Sequence, residues 1–257
     1  MPRSIQGVIR RRILVNFRVD PDVVRPWVPS PFRISEVDGH AMAGICLIRL
    51  ERMRPGWLAT GPGLGSDNVA YRIAVHWDEG GQRRDGVFVP RRDTSSSLQH
   101  RIGGRFFPGM YHRSWIDTRD DRGVVEISCR SDDGAGDVRF VARETDQLPS
   151  TSVFGSLEEA AAFFQRGAVG YSASRHAARL DGLLLQTNGW SVAPLDVEVL
   201  ESSYFANSIR FPPGSATLDD ALIMRNVAHT WRALPSIEAP ASSGDAAESY
   251  HPPAQDW

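Results

Sequence analysis

The sequence predicts an α+β fold that is mainly antiparallel β, on three observations. About ten segments alternate apolar and polar residues with a period of two and carry many β-branched residues. Asp-Gly, Asn-Gly and Gly-Gly pairs, the residues that reverse a hairpin, punctuate them. Only one stretch has complete helix signals, so the helix between successive strands that a doubly wound parallel sheet requires is missing.

Taken in order, IRRRILVNFRV (9–19) reads as the first strand, and Asp20-Pro21 offers an N-cap followed by proline at the first helical position. DPDVVRPWV is then a short helix or helical turn, stopped by Pro29 and Pro31. Residues 32–36 and 40–50 are strands joined at Asp38-Gly39, and the nearly continuous apolar character of AMAGICLIRL marks a central strand. RPGWLATGPGLGSDN (54–68) has no periodic face and reads as a loop. NVAYRIAVHWD (68–78) and GVFVP form a hairpin through the intervening glycines.

Three alternating runs, at 112–119, 123–131 and 136–144, read as an antiparallel meander. SLEEAAAFFQRG is the helix: Ser156 and Glu159 make a capping box, acids fill its first turn, and Gly167 follows Arg166 at its end. GYSASRHAARLDGLLLQTNGWSV reads as a turn and a hairpin reversing at Asn188-Gly189. PLDVEVLESSYFAN gives another strand. In 211–234 a brief helix around 218–225, with Asp219 and Asp220 at its start, precedes a strand carrying His229 and Trp231. The expected organisation is one β-rich domain over 1–235 and a disordered tail over 236–257, rich in proline, alanine, serine and acids.

Composition narrows the chemistry. All 29 basic residues are arginine, so neither a lysine Schiff base nor a Walker-type phosphate loop is available. The net charge of -2 supplies no bulk attraction to nucleic acid, and no stretch reaches the ~20 apolar residues of a membrane span. Cys46 and Cys129, with no CxxC pairing, fit buried free thiols in a reducing compartment, and the chain reads as cytoplasmic. No HExxH motif, GxSxG motif or regular histidine spacing is present, so no cofactor and no metal is expected.

The unusual chemistry concentrates in VFVPRRDTSSSLQHRIGGRFFPGMYHRSW, where Arg91, Arg92, Arg101, Arg105 and Arg113 fall within 23 residues. Guanidinium forks bind carboxylates bidentately, but successive strand residues point to opposite faces. Arg91 therefore diverges from Arg92, and His112 from Arg113. The serine run is expected to make turn and cap hydrogen bonds. Arg92, Arg105, Arg113 and Trp231 are the substrate-binding candidates. His112 is the acid–base candidate and Tyr111 the donor to developing negative charge.

VFVPRRDTSSSLQHRIGGRFFPGMYHR, SLEEAAAFFQRGAVGYS and LIMRNVAHTW together resemble a family of uncharacterised bacterial proteins over roughly residues 10–235, and that family looks distantly related to acetoacetate decarboxylase. The resemblance implies an acetoacetate-decarboxylase-like β cone or barrel with a few peripheral helices around an apolar pocket. It lays the decarboxylase's Schiff-base lysine over Gly109 and the neighbouring lysine over Met110, with Phe107 and Pro108 in the preceding turn and Gly104-Arg105 in its approach. Both amines are gone, so the fold carries over and the imine does not. The expected function is a lyase-like small-molecule enzyme using acid–base or electrostatic catalysis on a carboxylated or carbonyl-containing compound. A non-catalytic protein binding the same small organic anion or keto compound is the alternative. No nucleic acid or membrane partner is expected, and homo-oligomerisation stays open.

Overall fold

The computed structural model describes residues 4–58, 61, 63–102, 109–174 and 178–239. Strand β1 (Ser4–Val19) leads into α1 (Pro21–Val24), where Asp20 caps by accepting from the Asp22 amide at 2.9 Å. Two short strands, β2 (Arg33–Ile34) and β3 (Glu36–Val37), precede β4 (His40–Pro55). Asp38 and Gly39 both have positive φ, 48° and 75°, as a two-residue type I′ hairpin demands. Long strands β5 (Leu64–Glu79) and β6 (Gln82–Thr94) reverse at Gly80-Gly81 in the same way. After α2 (Ser97–Ile102) come the expected meander strands β7 (His112–Asp121), β8 (Val124–Ser131) and β9 (Val138–Glu144).

Helix α3 (Leu157–Arg166) forms where its caps place it: Ser156 Oγ accepts from the Glu159 amide at 3.1 Å, and Glu159 reaches back to the Gly155 amide at 2.9 Å. Strands β10 (Val169–Ala173), β11 (Arg179–Thr187), β12 (Ala193–Ser202) and β13 (Ala216–Glu238) complete the described residues.

The result is a mixed α+β fold dominated by antiparallel strands. Neighbours run β11-β10-β6-β7-β8-β9-β12-β13-β1-β4-β5-β2. Further pairings join β11 to β13 and β5 to β6, so neighbours can be followed from β13 through β1, β4, β5, β6, β10 and β11 back to β13. Among the described residues only β6–β7 and β6–β10 are parallel, and each spans two residue pairs. Alternation along the central strands gives each face its own core. Ile13, Val15 and Phe17 of β1 pack with Ile127, Phe140 and Tyr204 on one face. Leu14 packs with Met42, Cys46 and Leu222 on the other, which α3 covers through Ala160 and Phe164.

Three expectations change. Leu64 to Asp67 belong to β5, because their backbone pairs with Arg49 to Met53 of β4. The reversal placed at Asn188-Gly189 lies instead between β10 and β11, whose register runs from Val169↔Leu184 to Ala173↔Leu180. No helix forms at 218–225: β13 pairs with β1 from Val19↔Ala216 to Ser4↔Arg232, and that ladder overrides the helix-start signal of the two aspartates. Asp219 and Asp220 are buried in the strand rather than exposed at a helix end. β13 also runs past 235 to Glu238, and 240–257 lie outside the described residues.

Candidate functional site

The α3-covered face contains a cavity of about 90 Å³, far below the ~300–1,000 Å³ of pockets for drug-sized ligands. Its walls are mostly apolar, with Ile48, Leu50, Val87, Val89, Leu183 and Leu185 among them. Three arginines also line it: Arg12 on β1, Arg72 on β5 and Arg92 on β6, each under 10% exposed (8, 7 and 8%).

Sheet register explains how they share one space. Across β1, β4, β5 and β6, successive same-face rows read Asn16-Gly44-Arg72, then Leu14-Cys46-Ala70-Arg92, then Arg12-Ile48-Asn68-Thr94. The arginines occupy three different rows around the small side chains Cys46 and Ala70. Those two leave the hollow that longer residues would fill. Gly44 has a second role. Its missing side chain lets Arg72 on β5 donate to Asn16 Oδ1 on β1 across the intervening strand. A Cβ at Gly44 would stand 2.4 Å from the Val15 carbonyl oxygen.

None of the three guanidinium groups has an ion pair with a carboxylate among the described residues. Arg12 places Nε 3.4 Å from Cys46 Sγ and its guanidinium carbon 5.7 Å from the Trp190 ring. Arg72 lies over Phe164 at 5.0 Å, and its own Nε has no hydrogen-bond partner. Burial lowers Arg72 to about 10, which still leaves it charged at neutral pH. Arg92 Nε donates to Ser172 Oγ at 3.1 Å, and its guanidinium carbon stands 6.0 Å from the Tyr111 ring centre.

The lining also includes Asp93, but its carboxylate serves the opposite face. There it accepts from Arg91 at 2.7 and 2.8 Å and from Ser114 at 3.1 Å. Trp231 Nε1 and Asn68 Oδ1, both on lining residues, are buried without partners. Buried polar atoms are rarely left this way unless a ligand or water meets them.

One buried carboxylate approaches Arg72 indirectly. Asn16 Nδ2 donates to Asp220 Oδ1 at 2.6 Å, continuing the Arg72-Gly44-Asn16 row onto β13. Burial, reinforced by adjacent Asp219, raises Asp220 well above the usual carboxylate range. Asp219 is held by Ser152 Oγ at 2.7 Å, the Val153 amide at 3.0 Å and Arg18 at 3.5 Å.

Of the six residues singled out by sequence, Arg92, Tyr111 and Trp231 meet at the cavity. Burial raises the Tyr111 hydroxyl above its ordinary range. His112 is turned away: its Nδ1 lies 3.3 Å from Asp133 Oδ2, on the side where Arg91 grips Asp93 and Asp133. Burial, aided by Arg91, lowers His112 below its ordinary value. Arg113 donates to the Ser95 carbonyl and lies 6.0 Å from the Trp115 ring, so it is outside the cavity. Arg105 lies outside the described residues.

His112, Asp132 and Asp133 bring three metal-donor atoms within 4.8 Å of one another, but both Asp133 oxygens already accept from Arg91 at 2.8 Å. Gly109, where the resemblance lays the reactive lysine, has φ +96°, and a Cβ there would lie 3.3 Å from Arg92 Nε and 3.1 Å from Ser172 Oγ. The matched position therefore abuts the cavity wall, with Arg92 beside it.

Sequence reasoning missed Arg12 and Arg72. For Arg72 the available signal was a charge inside a strand flanked by apolar residues on both sides, AYRIAV, where a solvated arginine has no outlet; Arg12, at the end of an arginine run, carried no such signal.

A family model, DUF2071, described as an uncharacterized conserved protein, matches residues 8–221. No curated protein matches the chain in sequence. Among solved structures, acetoacetate decarboxylase from Legionella pneumophila subsp. pneumophila str. Philadelphia 1 is similar at TM-score 0.58 and 11% identity, covering 91% of this chain and 88% of that one. An acetoacetate decarboxylase-like enzyme from Sphingomonas wittichii RW1 is similar at TM-score 0.54 and 13% identity, covering 92% and 93%. The enduracididine biosynthesis enzyme MppR complexed with pyruvate is similar at TM-score 0.54 and 11% identity, covering 91% and 89%. At such identities the likeness is one of fold.

Proposed function

The chain belongs to the DUF2071 family, and we propose that it is a small-molecule enzyme, lyase-like in chemistry, acting on a carboxylated or carbonyl-containing compound without a covalent imine. The observation that carries this is the convergence of Arg12, Arg72, Arg92, Tyr111 and Trp231 on one small, mostly apolar cavity. The strand circuit from β13 through β1, β4, β5, β6, β10 and β11 is read as a barrel closed around it.

In this mechanism, guanidinium forks hold the substrate's carboxylate, and the apolar walls exclude water. Breaking a bond at the carbon beside a carbonyl releases one fragment, such as carbon dioxide from a carboxylate there. The electron pair stays behind as an enolate with its negative charge on the carbonyl oxygen, which a proton from solvent then quenches. The Tyr111 hydroxyl stabilises that charge as it develops, while Arg92 holds the carboxylate. His112 has no part in this step, because its ring faces Asp133. The fold likeness to MppR, whose solved complex holds pyruvate, supports a keto acid as a ligand of the right size.

A second reading, a binding protein with the same cavity, is favoured by one observation. No histidine is among the described lining residues, and their one carboxylate, Asp93, is engaged by Arg91 on the opposite face. The full chain, incubated with a mixture of small acids and ketones and followed by native mass spectrometry and product analysis, tests both. Conversion of a carbonyl acid that disappears in Arg92→Gln supports the enzyme. Retention without conversion supports the binding protein, and retention of no small acid or ketone overturns both.

A further inference from the structure

We propose that the cavity's ligand is a short dicarboxylate, gripped at one end by Arg12 and at the other by Arg92; this rests on reading the cavity as a small-anion site. The buried arginines differ in where they find their counter-charges. Arg11 has Asp120 at 3.3 Å and Asp67 at 3.9 Å. Arg91 has Asp93 at 2.7 Å and Asp133 at 2.8 Å. Half-buried Arg18 has Asp219 at 3.5 Å. Arg12, Arg72 and Arg92, by contrast, have no such carboxylate among the described residues, although one cavity holds all three. Arginine cannot shed its proton to escape burial, so the compensating negative charge has to come from elsewhere.

One carboxylate is too little negative charge for that wall. Arg72, on β5 between the other two, already has the Asn16 carbonyl and the Phe164 ring at its guanidinium, though its Nε has no partner. Asp220 is near but keeps its proton, held there by burial and by Asp219, and so offsets little of the charge. Arg12 and Arg92 remain, and they stand apart. Three strand-to-strand steps separate β1 from β6, ~14 Å at the backbone, and Arg12 Nε turns to Cys46 on neighbouring β4 while Arg92 Nε turns to Ser172 on β10, at the other flank of β6. A ligand satisfying both needs two separated anionic groups, and about 90 Å³ between them restricts the spacer to a few carbons. The apolar floor of Cys46 and Ala70 suits a hydrocarbon spacer and disfavours hydroxyl-rich acids.

The test is calorimetric titration of the full chain with malonate, succinate, acetate, propionate and inorganic phosphate, at about pH 7 and a constant ionic strength of about 0.15 M. Malonate or succinate is expected to bind at least ~10-fold more tightly than acetate or propionate. Arg12→Gln and Arg92→Gln should each reduce the dicarboxylate to the monocarboxylate level, and Arg139→Gln, at an exposed pair with Glu201, should leave the ratio unchanged. The wild-type comparison stands alone if a cavity variant does not fold. Equal affinity for mono- and dicarboxylates overturns the proposal and leaves a one-anion site. Phosphate binding as tightly as succinate also overturns it, in favour of a single tetrahedral oxyanion. Binding of none of the five probes overturns the small-anion reading itself.

Discussion

Arg91 and Arg92 are consecutive on β6, and their charges are treated in opposite ways. Arg91 makes two-pronged contacts with both Asp93 and Asp133, whereas Arg92 faces the cavity with the Ser172 hydroxyl on its Nε. Strand alternation alone produces this split. One arginine joins the β6 and β7 ends to the turn after β8, and the other remains available to a ligand.

Arg92→Met should separate binding from stability. It removes a charge-assisted contact worth about 1.5–3 kcal/mol, so affinity for the small-acid ligand falls by roughly 10–100-fold. The empty protein should lose no stability, because an unpaired buried cation is exchanged for an apolar side chain of similar length. Thermal unfolding with and without ligand measures both, and a large loss of stability in the empty variant would show that Arg92 is a structural residue.

Asn16→Ala should behave differently. Asn16 stands between Arg72 and Asp220 and satisfies one atom of each, so truncation strands two buried polar groups. A loss of about 2–4 kcal/mol is expected, readable as a lower urea midpoint. A change under about 0.5 kcal/mol would mean that water replaces the amide without cost.

Stability should depend on pH through two buried groups acting in opposite directions. Burial, aided by the Arg12 charge, lowers His229 to about 4. Between that value and its ordinary ~6.5, the unfolded chain binds a proton that the folded chain refuses, so stability falls as pH drops through this window, by on the order of 2–3 kcal/mol. Asp220, raised by burial, keeps a proton that the unfolded chain releases near pH ~4, so its contribution falls as pH rises above that. Between pH ~4 and ~6.5 the two contributions oppose each other, so urea midpoints there should fall with rising pH in His229→Leu, which leaves Asp220 acting alone, and rise with pH in Asp220→Asn, which leaves His229 acting alone. Unaltered slopes in both variants would assign the pH dependence to other groups.

Gly44→Ala is the steric counterpart. The new methyl would meet the Val15 carbonyl oxygen at 2.4 Å, and both groups belong to long, fully paired strands with little room to separate. The expected cost is about 1–3 kcal/mol, together with weaker ligand binding as Arg72 is displaced from Asn16. Chemical denaturation and titration of the same sample give both numbers.

Much of the fold was legible because its signals are local. The Asp38-Gly39 and Gly80-Gly81 reversals, the β7–β9 meander and the α3 capping box each depend on residues within a few positions. β13 was misread because Asp219-Asp220 imitates a helix start, and what makes the segment a strand is β1, some two hundred residues earlier. The site divided in the same way. Alternation correctly parted Arg91 from Arg92 and His112 from Arg113. It could not bring Arg12 and Arg72 to the cavity that Arg92 and Tyr111 line, because that convergence depends on register across β4, and register is set by the whole sheet.

The pairing of β1 with β13 also orders events in time. The cavity draws on residues from Arg12 to Trp231, and β1 has one flank on β4 and the other on a strand made more than two hundred residues later. During synthesis the β1–β4–β5–β6 ladders can form first. The free edge of β1, with Ile9, Ile13 and Val15 along it, must then wait for its partner. A ribosome pausing between residues 20 and 215 leaves that edge open to chaperones or to another nascent chain. Yield of this protein in a cell should therefore respond to translation speed and chaperone supply more than the finished sheet would suggest.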